Sequence, residues 1–286
     1  MGITTKSPGI KTQIALFKGM LKSRLIEERM LLLLRKNQIS KWFSGIGQEA
    51  VSVAATQALK ENDFILPMHR NLGVFTERKT PLPKLFAQLF GEVNGFTKAR
   101  DRSFHFGSKD HHIVGMISHL GAQLPVACGI ALGEKLSNSN NVTLAFSGDG
   151  GTSEGDFHEA LNLAATWNLP IIFLIENNGY SISTPTDQQF KEQDLYLRGI
   201  GYGIESIQIN GNDAIEVYQT IKSIRKDISK NPRPYLVEAK TFRVRGHEES
   251  SGTHYVPKEK IEEWSAKDPI DKLGRSLEKS KVLSQK

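Results

Sequence analysis

The chain has 286 residues, 38% of them hydrophobic and 24% charged, with a formal net charge of +6. That content suits one large α/β domain and excludes a disordered or fibrous chain. Its single cysteine, Cys128, rules out an internal disulfide or a cysteine-based zinc cage, and its basic residues lie scattered among acids, which argues against nucleic acid as a partner. The longest purely apolar runs, residues 30–34 and 171–175, are five residues long. A membrane span needs roughly 20, so a soluble chain is expected.

In chain order, residues 1–13 read as a flexible segment, with at most about a dozen residues available as a presequence. Lys6 stands where a myristoylation signal needs a hydroxyl. Leu16, Met20, Leu21, Leu25 and Ile26 recur at helical spacing and predict a helix over 14–34. The Gly-Ile-Gly-Gln-Glu stretch at 45–49 opens a second helix that reaches about Leu59. Apolar runs predict strands at 64–68, 142–147, 171–176, 204–209 and 235–244, and helical patterns occupy 122–136, 154–168 and 213–229. This alternation argues for a parallel sheet covered by helices. From Val256 the tail is charged and helical in pattern, and it runs to Lys286 without an obvious cap. The expected layout is one α/β domain over 1–286, a parallel sheet flanked by helices with helical extensions at both ends.

Residues 142–185 read as a complete βαβ unit: an apolar strand, the glycine-rich turn Gly148-Asp149-Gly150-Gly151, a helix, and a second strand running into Asn177 and Asn178. Ligands of parallel sheets gather at the carboxyl ends of strands, beside helix N-termini. Asp149 and Asn178 stand at two such ends, where their oxygens would converge on a hard cation carrying phosphate, Mg²⁺. Alone, the glycines would mean no more than a tight turn. A dinucleotide fingerprint would need glycine where Ser153 stands, and no Gly-Lys-Ser/Thr follows to make a P-loop.

Gly-Asp-Gly, a helix, an apolar strand and Asn-Asn in that order resemble the thiamine diphosphate motif. Neighbouring residues narrow the resemblance to the α subunit of the decarboxylating component of 2-oxo acid dehydrogenase complexes. They are Gly47-Gln48-Glu49-Ala50, Met68-His69-Arg70, Gly121-Ala122-Gln123-Leu124-Pro125, Ser153-Glu154-Gly155, Asn177-Asn178-Gly179-Tyr180, Arg245-Gly246-His247 and Asp268-Pro269-Ile270. The resemblance implies a thiamine diphosphate-binding fold, with Mg²⁺ held by Asp149, Asn178 and the main-chain carbonyl of Tyr180. It places Arg70 on the diphosphate, and main-chain groups of Ser118 and Leu120 on the aminopyrimidine. Gly148, Gly150 and Gly151 fall in the cofactor turn, and His247 becomes the active-site histidine beside the diphosphate and the reacting carbon.

Some positions depart from the pattern. His69 stands where a tyrosine is common, which puts its cofactor contact in question. Glu248 and Glu249 follow His247 where regulated relatives carry a phosphorylated serine, so that control is not expected. Ala122 replaces a threonine of a potassium site, and no bound potassium is expected.

In such enzymes the cofactor carries the decarboxylation and the acyl group passes to a lipoyl-bearing acyltransferase. The glutamate that activates the cofactor comes from a β subunit, and no motif here supplies it. The resemblance therefore implies half a site, completed by a β subunit or a fused β half in a heterotetramer. The end at Lys286 reads as a truncated subunit or as one half of a fused protein. On this reading the chain alone is inactive and exposes apolar area that drives self-association. Residues 177–186 favour a branched-chain substrate, 3-methyl-2-oxobutanoate, while Glu176 looks more like pyruvate enzymes; a pyruvate or acetoin dehydrogenase is the alternative. A non-catalytic thiamine diphosphate-binding scaffold is the alternative of another class. The location would be the bacterial cytoplasm, or the mitochondrial matrix in a eukaryote.

Overall fold

The computed structural model describes residues 7–101 and 105–282. In chain order its elements are α1 (Ile10–Arg35), α2 (Glu49–Ala58), β1 (Phe64–Leu66), α3 (Leu72–Glu77), α4 (Leu82–Phe90), α5 (Gln123–Leu136), β2 (Thr143–Gly148), α6 (Gly155–Thr166) and β3 (Ile171–Asn177). A two-residue hairpin follows, β4 (Tyr180–Ser181) and β5 (Thr184–Pro185), then α7 (Thr186–Gln189), α8 (Leu197–Ile200), β6 (Glu205–Asn210), α9 (Ala214–Ile228), β7 (Tyr235–Lys240), α10 (Lys258–Ser265) and α11 (Pro269–Lys279).

Five strands form one sheet in the order β1-β2-β3-β7-β6, every neighbouring pair parallel. Parallel strands are covered on both faces and so need apolar residues at every position, and all seven residues of β3 are buried. Alternate residues sort into two cores. Leu144, Phe146, Ile172, Leu174 and Val237 pack with residues of α1, α2 and α9. Ala145, Phe173, Ile175 and Leu236 pack with α5 and α6 on the other face. The predicted parallel sheet flanked by helices is the observed architecture.

The differences have local causes. Helix α1 begins at Ile10, with Gly9 O accepting the Thr12 and Gln13 amides, so residues 10–13 are helical rather than flexible; residues 1–6 lie outside the described residues. Strand β7 leaves the ladder after Lys240, but the chain stays extended, and the amides of Thr241 and Arg243 donate to Asn177 O (3.0 Å) and Asn178 O (3.3 Å). That short continuation carries the chain toward His247. Helices α3 and α4 were not expected from periodicity. The six residues of α3 are too few to show a period, whereas α4 carries Pro81 and Pro83 at its start and Gly91 at φ 72° as its left-handed C-cap. The tail forms α10 and α11, the second capped by Asp268, whose side chain accepts from Ile270 and Asp271 amides.

Candidate active site

Three strands end at one place. At the end of β2, Asp149 is 1% exposed and opens a tight turn in which the Thr152 amide (3.1 Å) and hydroxyl (2.6 Å) both donate to Asp149 O. A Cβ on Gly150 would lie 2.3 Å from Ser181 Oγ and 2.7 Å from its Cβ, so glycine lets the hairpin pack here, whereas one on Gly151 would need only the Ser147 hydroxyl, 2.4 Å away, to rotate. Gly148 differs, since a Cβ there would meet nothing nearer than Met68 Sδ at 3.9 Å. Its missing side chain leaves space over a cavity.

After β3, the Asn178 side chain folds back as an acceptor for the Tyr180 amide at 3.3 Å, and the Asn178 main-chain N–H is turned to the Asp149 carboxylate. Asp149 thus meets Asn178 as the spacing predicts. Its other donor is Gln189 Nε2 of α7 at 3.3 Å, and burial pushes its acid strength down, raising the pKa above the usual carboxylate range. The Tyr180 carbonyl accepts Arg243 Nη1 at 3.2 Å, and Arg243 Nη2 also reaches Ile182 O. Ile182 has φ 54°, the left-handed region, which is rare for a β-branched residue and points to strain held at a site.

Beyond β1, Arg70 is buried and donates Nη1 to Ser44 O at 3.0 Å and Nη2 to His247 Nδ1 at 3.2 Å and His247 O at 2.5 Å. A guanidinium only donates. His247 Nδ1 is therefore the acceptor and the ring proton sits on Nε2. Burial first, and Arg70 beside it, pull the His247 pKa down to about 4, so the ring is neutral at ordinary pH. Burial and the nearby Arg243 charge draw Arg70 down to about 9, still a cation near neutrality. His69 is packed between Phe43 (4.8 Å between ring centroids) and His247 (6.1 Å), its pKa held well below 6.5 by burial, and its Nε2 has no partner among the described residues.

His69, His247 and Gly148 line a cavity of about 410 Å³ together with, among others, Phe43, Met68, Ser118, Leu120, Gly121 and Ile182, whereas Arg70, Asp149, Asn178 and Tyr180 lie behind its wall. Ser118 is exposed and its hydroxyl pairs with His105 Nε2 at 2.5 Å. Leu120 and Ile182 show 50% and 60% of their surface to solvent, large values for apolar residues at a cavity mouth. Among the described residues no carboxylate lines this cavity. A larger groove of about 780 Å³ between the end of β6 and α10–α11 contains none of these residues; Lys240, Lys267 and Lys272 on its walls are paired with Glu238, Glu263 and Asp213.

Every position singled out by the sequence (His69, Arg70, Ser118, Leu120, Gly148, Asp149, Gly150, Gly151, Asn178, Tyr180 and His247) lies at or beside this confluence. Sequence reasoning missed Phe43, Ile182, Gln189 and Arg243. Of these, only Arg243 left a signal, four residues before His247 in the strand-like run.

The fold and this placement define an α/β protein with its candidate ligand site at the carboxyl ends of parallel strands. The chain belongs to the family described as Dehydrogenase E1 component, which it matches over residues 17–286. It is 36% identical over 266 residues to human 2-oxoisovalerate dehydrogenase subunit alpha, mitochondrial, covering 92% of this chain and 60% of that protein. The mouse protein of the same name is 37% identical over 245 residues, covering 85% and 55%. The Bacillus subtilis 2-oxoisovalerate dehydrogenase subunit alpha is 35% identical over 280 residues, covering 95% of this chain and 83% of the relative. The chain spans little more than half the length of the two mammalian relatives. No described helix is long and apolar enough to cross a membrane.

Proposed function

We propose that this chain is the α part of a thiamine diphosphate-dependent 2-oxo acid dehydrogenase that decarboxylates a branched-chain 2-oxo acid, 3-methyl-2-oxobutanoate, and passes the acyl group to a lipoyl-bearing acyltransferase. The observation that carries this reading is Asp149, a buried carboxylate at a strand end with a single 3.3 Å side-chain donor, set beside Asn178 and bordering a vacant-sided glycine over a cavity. Removing a carboxylate from water is costly unless a cation or strong donors compensate.

The residues fit a magnesium diphosphate. Asp149, the Asn178 side chain and the Tyr180 carbonyl offer three hard oxygens, and a carbonyl already bonded to Arg243 retains a second lone pair. Among the described residues no group of three histidine, cysteine or acidic side chains could hold a metal, so a diphosphate would have to complete the coordination. Bound there, thiamine diphosphate would supply the carbon nucleophile and the electron sink. Arg70 would bring positive charge to the phosphates. His247, neutral with its proton on Nε2, holds a donor next to the reacting groups.

Among the described residues the cavity has no carboxylate to activate an aminopyrimidine, and its mouth exposes Leu120 and Ile182. Both features support completion by a β subunit or β half, with α and β chains assembled as a heterotetramer. The names of the relatives support a branched-chain substrate. Glu176, the residue that looked pyruvate-like, is fully buried against Asn71 and does not line the cavity, so it offers no contact for choosing the substrate. The place of action would follow the source, mitochondrial matrix or bacterial cytoplasm. The test is dye-linked decarboxylation by this chain reconstituted with a matching β subunit, using 3-methyl-2-oxobutanoate and pyruvate. Faster turnover of the branched acid, only with β and thiamine diphosphate present, is expected. Turnover by this chain unaided would overturn the half-site reading.

A further inference from the structure

Glu27 lies on α1, away from the cavity, and is 2% exposed. Its carboxylate reaches the loop between α1 and α2: Oε2 accepts the Trp42 indole N–H at 2.6 Å and Oε1 the Gly45 main-chain N–H at 2.9 Å. The two anchored residues flank Phe43 and Ser44, and those two touch the site. The Phe43 ring sits 4.8 Å from His69 and 5.6 Å from His247, with Arg70 Cζ 5.8 Å from its centroid. Ser44 O accepts from Arg70 at 3.0 Å. Trp42 O receives the Glu249 amide at 3.1 Å, two residues beyond His247.

A second carboxylate finishes the grip. Glu49 Oε2 accepts the Gly47 amide at 2.9 Å, and Glu49 is bonded in turn by Arg24 of α1, which also reaches Asp268 at 2.7 Å. The loop has no slack for an alternative path, because a Cβ on Gly45 would lie 2.5 Å from Arg70 O. Burying a carboxyl is unfavourable unless its oxygens are used, and burial raises Glu27 to about 7. An apolar residue would fill the space more cheaply but would leave two buried N–H groups without acceptors.

We infer that Glu27 is a positioning residue: from α1 it holds Phe43 and Ser44 against His69, Arg70 and His247, and so sets the cavity wall on which cofactor affinity depends. The identity of the ligand rests on the function proposed above; the anchoring does not.

The test compares wild type with Glu27→Gln and Glu27→Asp. Glutamine offers one oxygen and one NH₂ to two N–H donors, so one bond becomes donor against donor, whereas aspartate keeps both oxygens. Hydrogen–deuterium exchange of the ligand-free chain across 41–48 should be about 10-fold faster in the Gln variant, the loss of one buried hydrogen bond. Calorimetric titration of the αβ assembly with thiamine diphosphate and Mg²⁺ should show a comparable loss, about 10-fold in Kd, recovered only in part by Asp, whose oxygens stop one methylene short of both donors, and with unchanged circular dichroism. Unchanged exchange overturns the anchoring, and faster exchange with unchanged affinity overturns its link to the site. If wild type takes up no thiamine diphosphate while the exchange difference persists, the ligand assignment fails and the anchoring stands. Should the Gln variant not fold, Trp42→Phe removes only the indole N–H; accelerated exchange supports the anchor and unchanged exchange overturns it.

Discussion

The two ends of the sheet treat a buried aspartate in different ways. At the amino ends of β1 and β2, Asp63 is fully buried and saturated: Arg225 grips both oxygens at 2.9 Å, and the amides of Val142 (2.9 Å) and Lys60 (2.6 Å) donate as well. At the carboxyl ends, the Asp149 carboxylate meets its own amide, the Asn178 amide and a 3.3 Å contact from Gln189; the Oε2 of Glu176, the Nε2 of His69 and the Nε of Arg243 are buried with no partner among the described residues, as are Thr143 Oγ1 and Arg78 Nε at the amino ends. The fold thus satisfies the Asp63 carboxylate far more fully than the Asp149 carboxylate. The contrast is between a buried carboxylate with strong donors on both oxygens and one left with weak donors.

The largest test of the contrast replaces each aspartate in turn. Asp63→Ala strands a buried guanidinium, and unfolding in urea should show a loss of about 3–5 kcal/mol. Asp149→Ala removes a carboxylate that burial already disfavours, so the ligand-free chain should unfold at no lower urea concentration than wild type. Its calorimetric affinity for thiamine diphosphate with Mg²⁺ should nevertheless fall by roughly 100-fold or more, as for lost metal ligation. Equal destabilisation by both substitutions would erase the distinction between the two ends.

His247 sharpens it at the next level. With its proton on Nε2 and Arg70 on Nδ1, His247→Ala should lower turnover of the αβ assembly by about 100-fold, the lower range for an acid–base group, while cofactor affinity changes far less. The ring gains its second proton only as pH falls through about 4, because burial and Arg70 oppose the charge. An NMR titration of the ligand-free chain should therefore show this histidine neutral across the usual range near 6.5. A midpoint near 6.5 would mean that Arg70 does not hold it.

Much of the sheet was legible because burial on both faces writes continuous apolar runs: β2 and β3 fall within one residue of the predicted 142–147 and 171–176. The positions of Asp149 and Asn178 followed, since strand ends in a parallel sheet share one edge. What could not be read are partners brought from far along the chain. Phe43 reaches His247 across about two hundred positions, Arg243 bonds the Tyr180 carbonyl through an extension of β7, and Glu27 acts from a helix that reads as a mere extension. Such contacts depend on how helices seat on the sheet, and no local period encodes them. The helix α4 was readable in principle from Pro81, Pro83 and Gly91, whose backbone preferences mark both its ends.

The smallest expected effect concerns strain at the carboxyl ends. Ile182 holds φ 54° at the turn between β4 and β5, its carbonyl takes a bond from Arg243, and its side chain lies 60% exposed at the cavity mouth. A β-branched residue in that conformation costs on the order of 1 kcal/mol or more, which glycine would not incur. Nothing in the isolated chain repays it, since the side chain buries little. Ile182→Gly should therefore raise the stability of the ligand-free chain to urea by about 1 kcal/mol. If the exposed isoleucine is there to form an apolar wall with the β subunit, the same substitution should weaken αβ association, measured by sedimentation across a dilution series. A variant that is both more stable and equally well assembled would show that the strain serves no contact at this mouth, and would leave Leu120 as the apolar residue to examine there.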